Sequence, residues 1–166
     1  MRTHTVAGSP LGDLVVVAED GSVTGLYFAH RHRGRPAQDA FGDRDDSGFL
    51  AVRQQLREYF AGDRRDFDLP LDARGDDFQR RVWQLVAAIP YGRTRSYGEL
   101  ATDLGDRALA QEVGAAVGAN PLCLLVACHR VVGADGRLTG YAGGLDRKRF
   151  LLELEEPPER RASRLF

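Results

Sequence analysis

Residues 122–132 read Leu-Cys-Leu-Leu-Val-Ala-Cys-His-Arg-Val-Val, an apolar run broken only by one His-Arg pair. A run of this kind has to leave water, so the chain must build a core around its apolar residues. The pattern predicts a buried strand over Leu122–Val126 that ends at Cys128 and His129. With 166 residues there is enough chain for one ordinary domain or two small ones. Hydrophobic residues at 43% and charged residues at 28% give the balance of a soluble globular protein and exclude disordered, collagen-like and coiled-coil classes.

No apolar run approaches the roughly 20 residues of a membrane span. The opening Met1-Arg2-Thr3-His4 lacks the apolar stretch of a signal peptide, so a cytoplasmic location and no membrane partner are expected. Cys123 and Cys128 are the only cysteines. They allow neither a disulfide framework nor a four-cysteine zinc site and are expected as free thiols. His4 and the His30-x-His32 pair have no cysteine or helix-spaced partner, and no metal is expected.

The net charge of −1 hides an asymmetry: residues 1–73 carry −3 and residues 74–166 carry +2. A polyanionic partner should therefore meet the second half. The organisation changes at the same place. Thr3–Ala7, Leu14–Glu19 and Val23–Phe28 are short, rich in β-branched and apolar residues, and separated by Gly, Pro and Asp turns, which predicts an antiparallel meander. His30–Asp46 is polar and reads as a surface loop. A helix is predicted over about Gly48–Ala61, with Phe49, Val52, Leu56, Tyr59 and Phe60 as its apolar stripe. An extended segment ends near Asp72, dividing the chain into segments 1–73 and 74–166.

In the second segment Asp77–Ile89 has helical periodicity and stops at Pro90. Ser96 followed by Glu99 is a capping box that opens a helix through Leu104, ended by Gly105. A further helix is predicted over about Arg107–Val117. Two short helices joined through a glycine fit a helix-turn-helix and fit a plain helical hairpin as well. The expected fold is thus α/β (α+β): a small N-terminal antiparallel sheet with a helix, then a helical, winged-helix-like domain.

Cys128 beside His129 at the end of a buried run is a place where an imidazole could take a thiol proton and leave a thiolate. The same pair is also what ordinary core packing produces, since free cysteine is among the most buried residue types. The glycine-rich stretch Gly136–Gly144 would let backbone approach a flat ligand, or would serve as a plain loop.

The strings ACHRVVGADGRLTGYAGGLDRKRFLLELE, FQRRVWQLVAAIPYGRTRSYGELA and VGAAVGANPL, over about residues 75–156, resemble the O6-alkylguanine-DNA alkyltransferase family. The SPLGDL opening resembles that family's first domain. The resemblance implies single-turnover repair: the Cys128 thiolate attacks the alkyl carbon on guanine O6 and keeps it as a thioether. It implies that His129 takes the thiol proton, that Glu155 orients His129, that Tyr97 donates to the departing guanine, and that Asn120 holds the turn before the nucleophile. Tyr141, Ala142, Gly143 and Gly144, with Trp83 and the Val131 carbonyl, would form the base pocket. The partner implied is double-stranded DNA carrying O6-alkylguanine, met by a monomer without a cofactor, with the base flipped through the minor groove. Contacts would come from Arg107, Ala108, Ala110, Gln111, Gly114 and Ala115 on the second helix and from Arg95, Ser96 and Arg130 beside it.

Two positions depart from the family pattern. Ala127 stands where proline is usual. Gln111, followed by Glu112, stands where an arginine normally fills the gap left by the flipped base, which weakens the wedge and the phosphate contact and motivates an alternative in which DNA is used weakly or differently. Alkyltransferase-like proteins bind alkylated DNA without reacting because they replace the nucleophile; Cys128 argues against that rival.

Overall fold

The computed structural model describes residues 1–159, so the end of the segment expected over 74–166 lies outside it. Three strands, β1 (Arg2–Ala7), β2 (Leu14–Glu19) and β3 (Ser22–Phe28), form the antiparallel meander, with β2 paired to both neighbours. A two-residue strand, β4 (Asp43–Arg44), adds to the free edge of β1 in parallel, so the sheet order is β3-β2-β1-β4 and the sheet is mixed rather than purely antiparallel.

Alternation along β2 explains why the expected surface loop is partly structural. Leu14 and Val16 face the main core, while Val15 and Val17 point to the opposite face. That second face also needs cover. A 3-10 turn at Gln38–Phe41 supplies it by laying Phe41, 1% exposed, against Val15 and Val17. The main face is covered by α1 (Leu50–Phe60), which buries Val52, Leu56 and Tyr59.

The second half packs α2 (Asp77–Ala87) against α4 (Ala110–Gly118), and Trp83 Nε1 donates to the Ala116 carbonyl at 2.8 Å. Between them in sequence, β5 (Arg95–Ser96) runs straight into α3 (Tyr97–Asp103). The Ser96–Glu99 capping box is formed in both directions, and Gly105 takes φ +105° just past the helix. The segment after Asp106 starts as a 3-10 turn, Arg107–Leu109, and becomes α-helical only at Ala110. A two-residue parallel pair joins β5 to β6 (Val131–Val132), and α5 spans Leu145–Glu155. Both halves share one apolar core that runs from Leu14 and Phe28 to Val131 and Leu151. Among the described residues no helix is long and apolar enough to cross a membrane.

The strand expected over Leu122–Val126 does not form. Leu122 makes one parallel bridge to Leu26, after which the chain coils through tight turns, with Leu125 N–H on the Cys123 carbonyl, Val126 N–H on the Leu122 carbonyl, and Leu124 at φ +72°. The run is buried as expected, but its polar backbone is satisfied locally and by a side chain instead of by a sheet. Asn120 Nδ2 donates to the Val126 carbonyl at 2.9 Å, and Asn120 Oδ1 accepts from Leu122 N–H at 3.0 Å. An apolar run reports burial, not the geometry that meets its hydrogen bonds.

Candidate active site

The coil held by Asn120 delivers Cys128 to the base of a cavity of about 400 Å³, within the range of small-molecule sites. Cys123, Asn120, Tyr97, Tyr141, Ala142, Gly114 and Ala115 also line it. Cys128 is 5% exposed, and it lines that cavity. Burial by itself would raise a thiol's pKa, yet Cys128 is pulled below its ordinary value. The largest cause is a hydrogen bond from the Cys123 thiol, followed against burial by the Asn120 side chain and the positive charge of Lys148. Cys123 shifts the opposite way, well up, because it holds its proton toward Cys128 and is buried. Of the two thiols, Cys128 is the one set to ionise.

Behind Cys128 lies a buried polar network centred on Glu155, at the last turn of α5. Glu155 Oε2 is 2.8 Å from His129 Nε2, accepts from Tyr59 Oη at 2.6 Å and from Arg130 Nη2 at 3.0 Å, while Oε1 accepts from Arg130 Nε at 2.8 Å. Desolvation would raise this carboxyl, but the bonds and charges of His129 and Arg130 outweigh it and hold Glu155 down at about 2. His129, with no exposed surface, is kept below its ordinary value by burial, partly offset by Glu155. The pair is therefore a neutral imidazole donating Nε2–H to a carboxylate. His129 Nδ1 is buried and has no hydrogen-bond partner among the described residues, which leaves its lone pair to take a proton.

Lys148, for which no local pattern predicts a role, is fully buried. Its Nζ donates to the carbonyls of Val131 (2.6 Å), Thr139 (2.8 Å) and Gly140 (3.1 Å), tying the glycine-rich segment to β6. Burial lowers it to about 8, against the opposing pull of Cys128. Tyr97 stands at the cavity edge with its hydroxyl donating to the Thr139 carbonyl at 3.4 Å.

Family models match the two halves of the chain: the ribonuclease-like domain of 6-O-methylguanine DNA methyltransferase over residues 3–73 and its DNA binding domain over residues 77–157. The chain belongs to the 6-O-methylguanine DNA methyltransferase family. Among relatives, the methylated-DNA–protein-cysteine methyltransferase of Mycobacterium tuberculosis (strain H37Rv) is 46% identical over 94% of this chain and 93% of its own length. The protein of that name from Methanosarcina acetivorans is 38% identical over 92% and 97%. The crystal structure of the M. tuberculosis O6-methylguanine methyltransferase superposes with a TM-score of 0.86 at 41% identity, covering 98% of this chain and 99% of that one. The structure of M. tuberculosis OGT in complex with DNA gives 0.84 at 42%, covering 95% and 97%.

Against the expectations that 6-O-methylguanine DNA methyltransferase motifs raise, the fold gathers Cys128, Asn120, Tyr97, Tyr141 and Ala142 around one cavity and sets His129 and Glu155 behind it. Other residues lie elsewhere. Trp83, Val131, Gly143 and Gly144 are outside the cavity wall. Trp83 joins α2 to α4, the Val131 carbonyl is held by Lys148, and Gly144, at φ +91°, caps α5. Gly143 is a packing position, because a Cβ there would come within 2.5 Å of the Phe28 ring.

Arg130, expected on the DNA face, is 7% exposed; Glu155 and the Ile89 carbonyl (2.7 Å from Nη1) occupy its guanidinium, so the interior claims it. Arg95 is ion-paired with Asp103, and Arg107 lies over Gly98. Gln111, Glu112, Ala115 and Gly118 form the exposed face of α4, with Gly114 half-buried beside them, and Ala108, Ala110 and Ser96 lie at or near the surface. Tyr59 was expected only as a core residue. No local signal could have found its bond to Glu155, because the partner lies 96 residues away.

Proposed function

We propose that this chain repairs DNA by accepting the alkyl group of O6-alkylguanine on Cys128, one group per molecule, after the base has been flipped out of the duplex into the 400 Å³ cavity. The coarse part of this reading, a DNA-acting cysteine methyltransferase, follows from family membership. The finer part rests mainly on one observation: a thiol with lowered pKa at the base of a cavity, backed by a neutral His129 whose other nitrogen is bound to Glu155.

In the proposed step His129 Nδ1 takes the Cys128 proton through a water, and Glu155 stabilises the imidazolium that results. The thiolate then attacks the alkyl carbon, forming the S–C bond as the C–O6 bond breaks. The electron pair goes to the guanine, and the Tyr97 hydroxyl, turned from the Thr139 carbonyl, donates to it. Nothing in the step frees Cys128 again, so turnover stops at one. The division into an N-terminal domain over 1–73 and an alkyl-accepting domain over 74–166, a monomeric state and a cytoplasmic location belong to the same proposal.

The test is intact mass after incubation with a duplex containing O6-methylguanine, followed by peptide mapping. One methyl group per chain, on Cys128, is expected. An unmodified protein, or more than one equivalent transferred, overturns the reading.

A further inference from the structure

Thirteen of the fourteen residues that line the cavity are uncharged; Arg33 is the exception, and it comes from the N-terminal half. It is held there by a built loop. Arg33 N–H donates to the Ala142 carbonyl at 2.8 Å, directly onto the cavity wall. On either side the loop is fastened. Arg147 Nη1 donates to the carbonyls of His30 (2.8 Å) and Arg31 (3.1 Å), with its guanidinium 4.3 Å from the Phe28 ring centroid. His32 Nδ1 accepts from Phe28 N–H at 3.0 Å, a role that needs a neutral imidazole; burial, followed by the charges of Arg147 and Arg35, keeps His32 near 4.

The Arg33 side chain itself is exposed and makes no ion pair or hydrogen bond among the described residues. Arg95 and Arg130, the two arginines expected on the DNA beside the second helix, are committed elsewhere, Arg95 to Asp103 and Arg130 to Glu155. The exposed start of α4 presents Gln111 and Glu112 instead of a cation. A nucleotide entering this cavity brings a phosphate to its rim, and a free guanidinium on a fastened backbone is suited to bind it.

We propose that Arg33 binds the backbone phosphate of the nucleotide whose base enters the cavity, so that the N-terminal half contributes directly to DNA binding. This rests on the reading of the cavity as the site for a flipped guanine.

The experiment compares the full chain with Arg33→Gln, Arg33→Lys and, as a neighbouring charge outside the cavity wall, Arg31→Gln. Dissociation constants for a duplex carrying O6-methylguanine are measured over a series of salt concentrations, with methylation of Cys128 followed by mass in the same samples. Arg33→Gln should weaken binding roughly three- to tenfold, flatten the log–log salt dependence by about one phosphate contact, and lower the second-order transfer rate by the same factor as the affinity. Arg33→Lys should recover most of the loss, and Arg31→Gln should not reproduce it. An unchanged salt slope in Arg33→Gln, an equal loss in Arg31→Gln, or a slower transfer with unchanged affinity overturns the proposal. Failure of the unsubstituted protein to be methylated counts against the alkyl-transfer reading alone, because the phosphate contact is judged by binding.

Discussion

Tyr59, on the helix of the first half, donates its hydroxyl to Glu155 Oε2 at 2.6 Å and so completes the ring of donors around the carboxylate that holds His129. Tyr59 has no exposed surface, and the two residues meet inside the core shared by both halves. The N-terminal half therefore helps to hold the buried carboxylate of the second half. In return the second half, through Arg147 and the Ala142 carbonyl, fastens the loop that carries Arg33.

Replacing Tyr59 with Phe removes that donor and leaves the carboxylate to His129 and Arg130. A loss of about 1–2 kcal/mol in folding stability is expected, since a buried charged acceptor gives up one of its bonds. Urea unfolding checks it, and alkyl transfer should slow by less than in Glu155→Gln. Equal stability of Tyr59→Phe and the parent would mean that the remaining donors compensate fully.

The same network sets an acid limit. Glu155 is lowered from 4.5 to about 2, so its contribution is complete above the unfolded value and is lost as pH falls through the folded one. His129 is lowered from 6.5, so below that value the unfolded chain gains a proton that the folded chain resists. Both effects have the same sign. Urea midpoints should fall from about pH 6.5 downward and fall steeply below pH 4.5, with a flatter acid limb in Glu155→Gln. His129→Ala and Glu155→Gln should each slow transfer by more than about tenfold with duplex binding nearly unchanged.

Cys128→Ser should abolish alkyl acceptance, whereas Cys123→Ser, which keeps a donor beside the thiolate, should retain it. Cys123→Ala removes the hydrogen bond that does most to lower Cys128, so its thiolate should form at higher pH. The pH dependence of iodoacetamide labelling at Cys128 reads this directly. Alkyl label found on Cys123 would contradict the assignment of roles.

Gln111 is exposed on α4 where the family pattern has an arginine. Gln111→Arg should raise the transfer rate with duplex substrate several-fold, because an arginine can both stack in the gap and meet the phosphates. The rate with free O6-benzylguanine, which needs no flipping, should stay the same. Equal acceleration on both would place residue 111 in the pocket's chemistry instead of in extrusion.

Much of this was legible in the sequence, and the legible parts are local. The Ser96–Glu99 capping box, the meander's turns and the stripe from Phe49 to Tyr59 each depend on residues a few positions apart, where helix and strand periodicity act directly. The motifs around Cys128, His129 and Glu155 single out the candidate residues because their order along the chain is itself the signal. Tertiary structure decided what depends on distant partners. It placed Arg130 in the interior, since the carboxylate needing compensation lies 25 residues on, and it recruited Tyr59 from 96 residues away. It turned Leu122–Val126 into a coil, because Asn120 and local turns meet the backbone's hydrogen bonds without a neighbouring strand. It also set buried Lys148 against three carbonyls and brought Arg33 to the cavity. Burial of an apolar residue can be read from its own chemistry, whereas the fate of a polar group depends on which partners the folded chain brings within hydrogen-bonding distance.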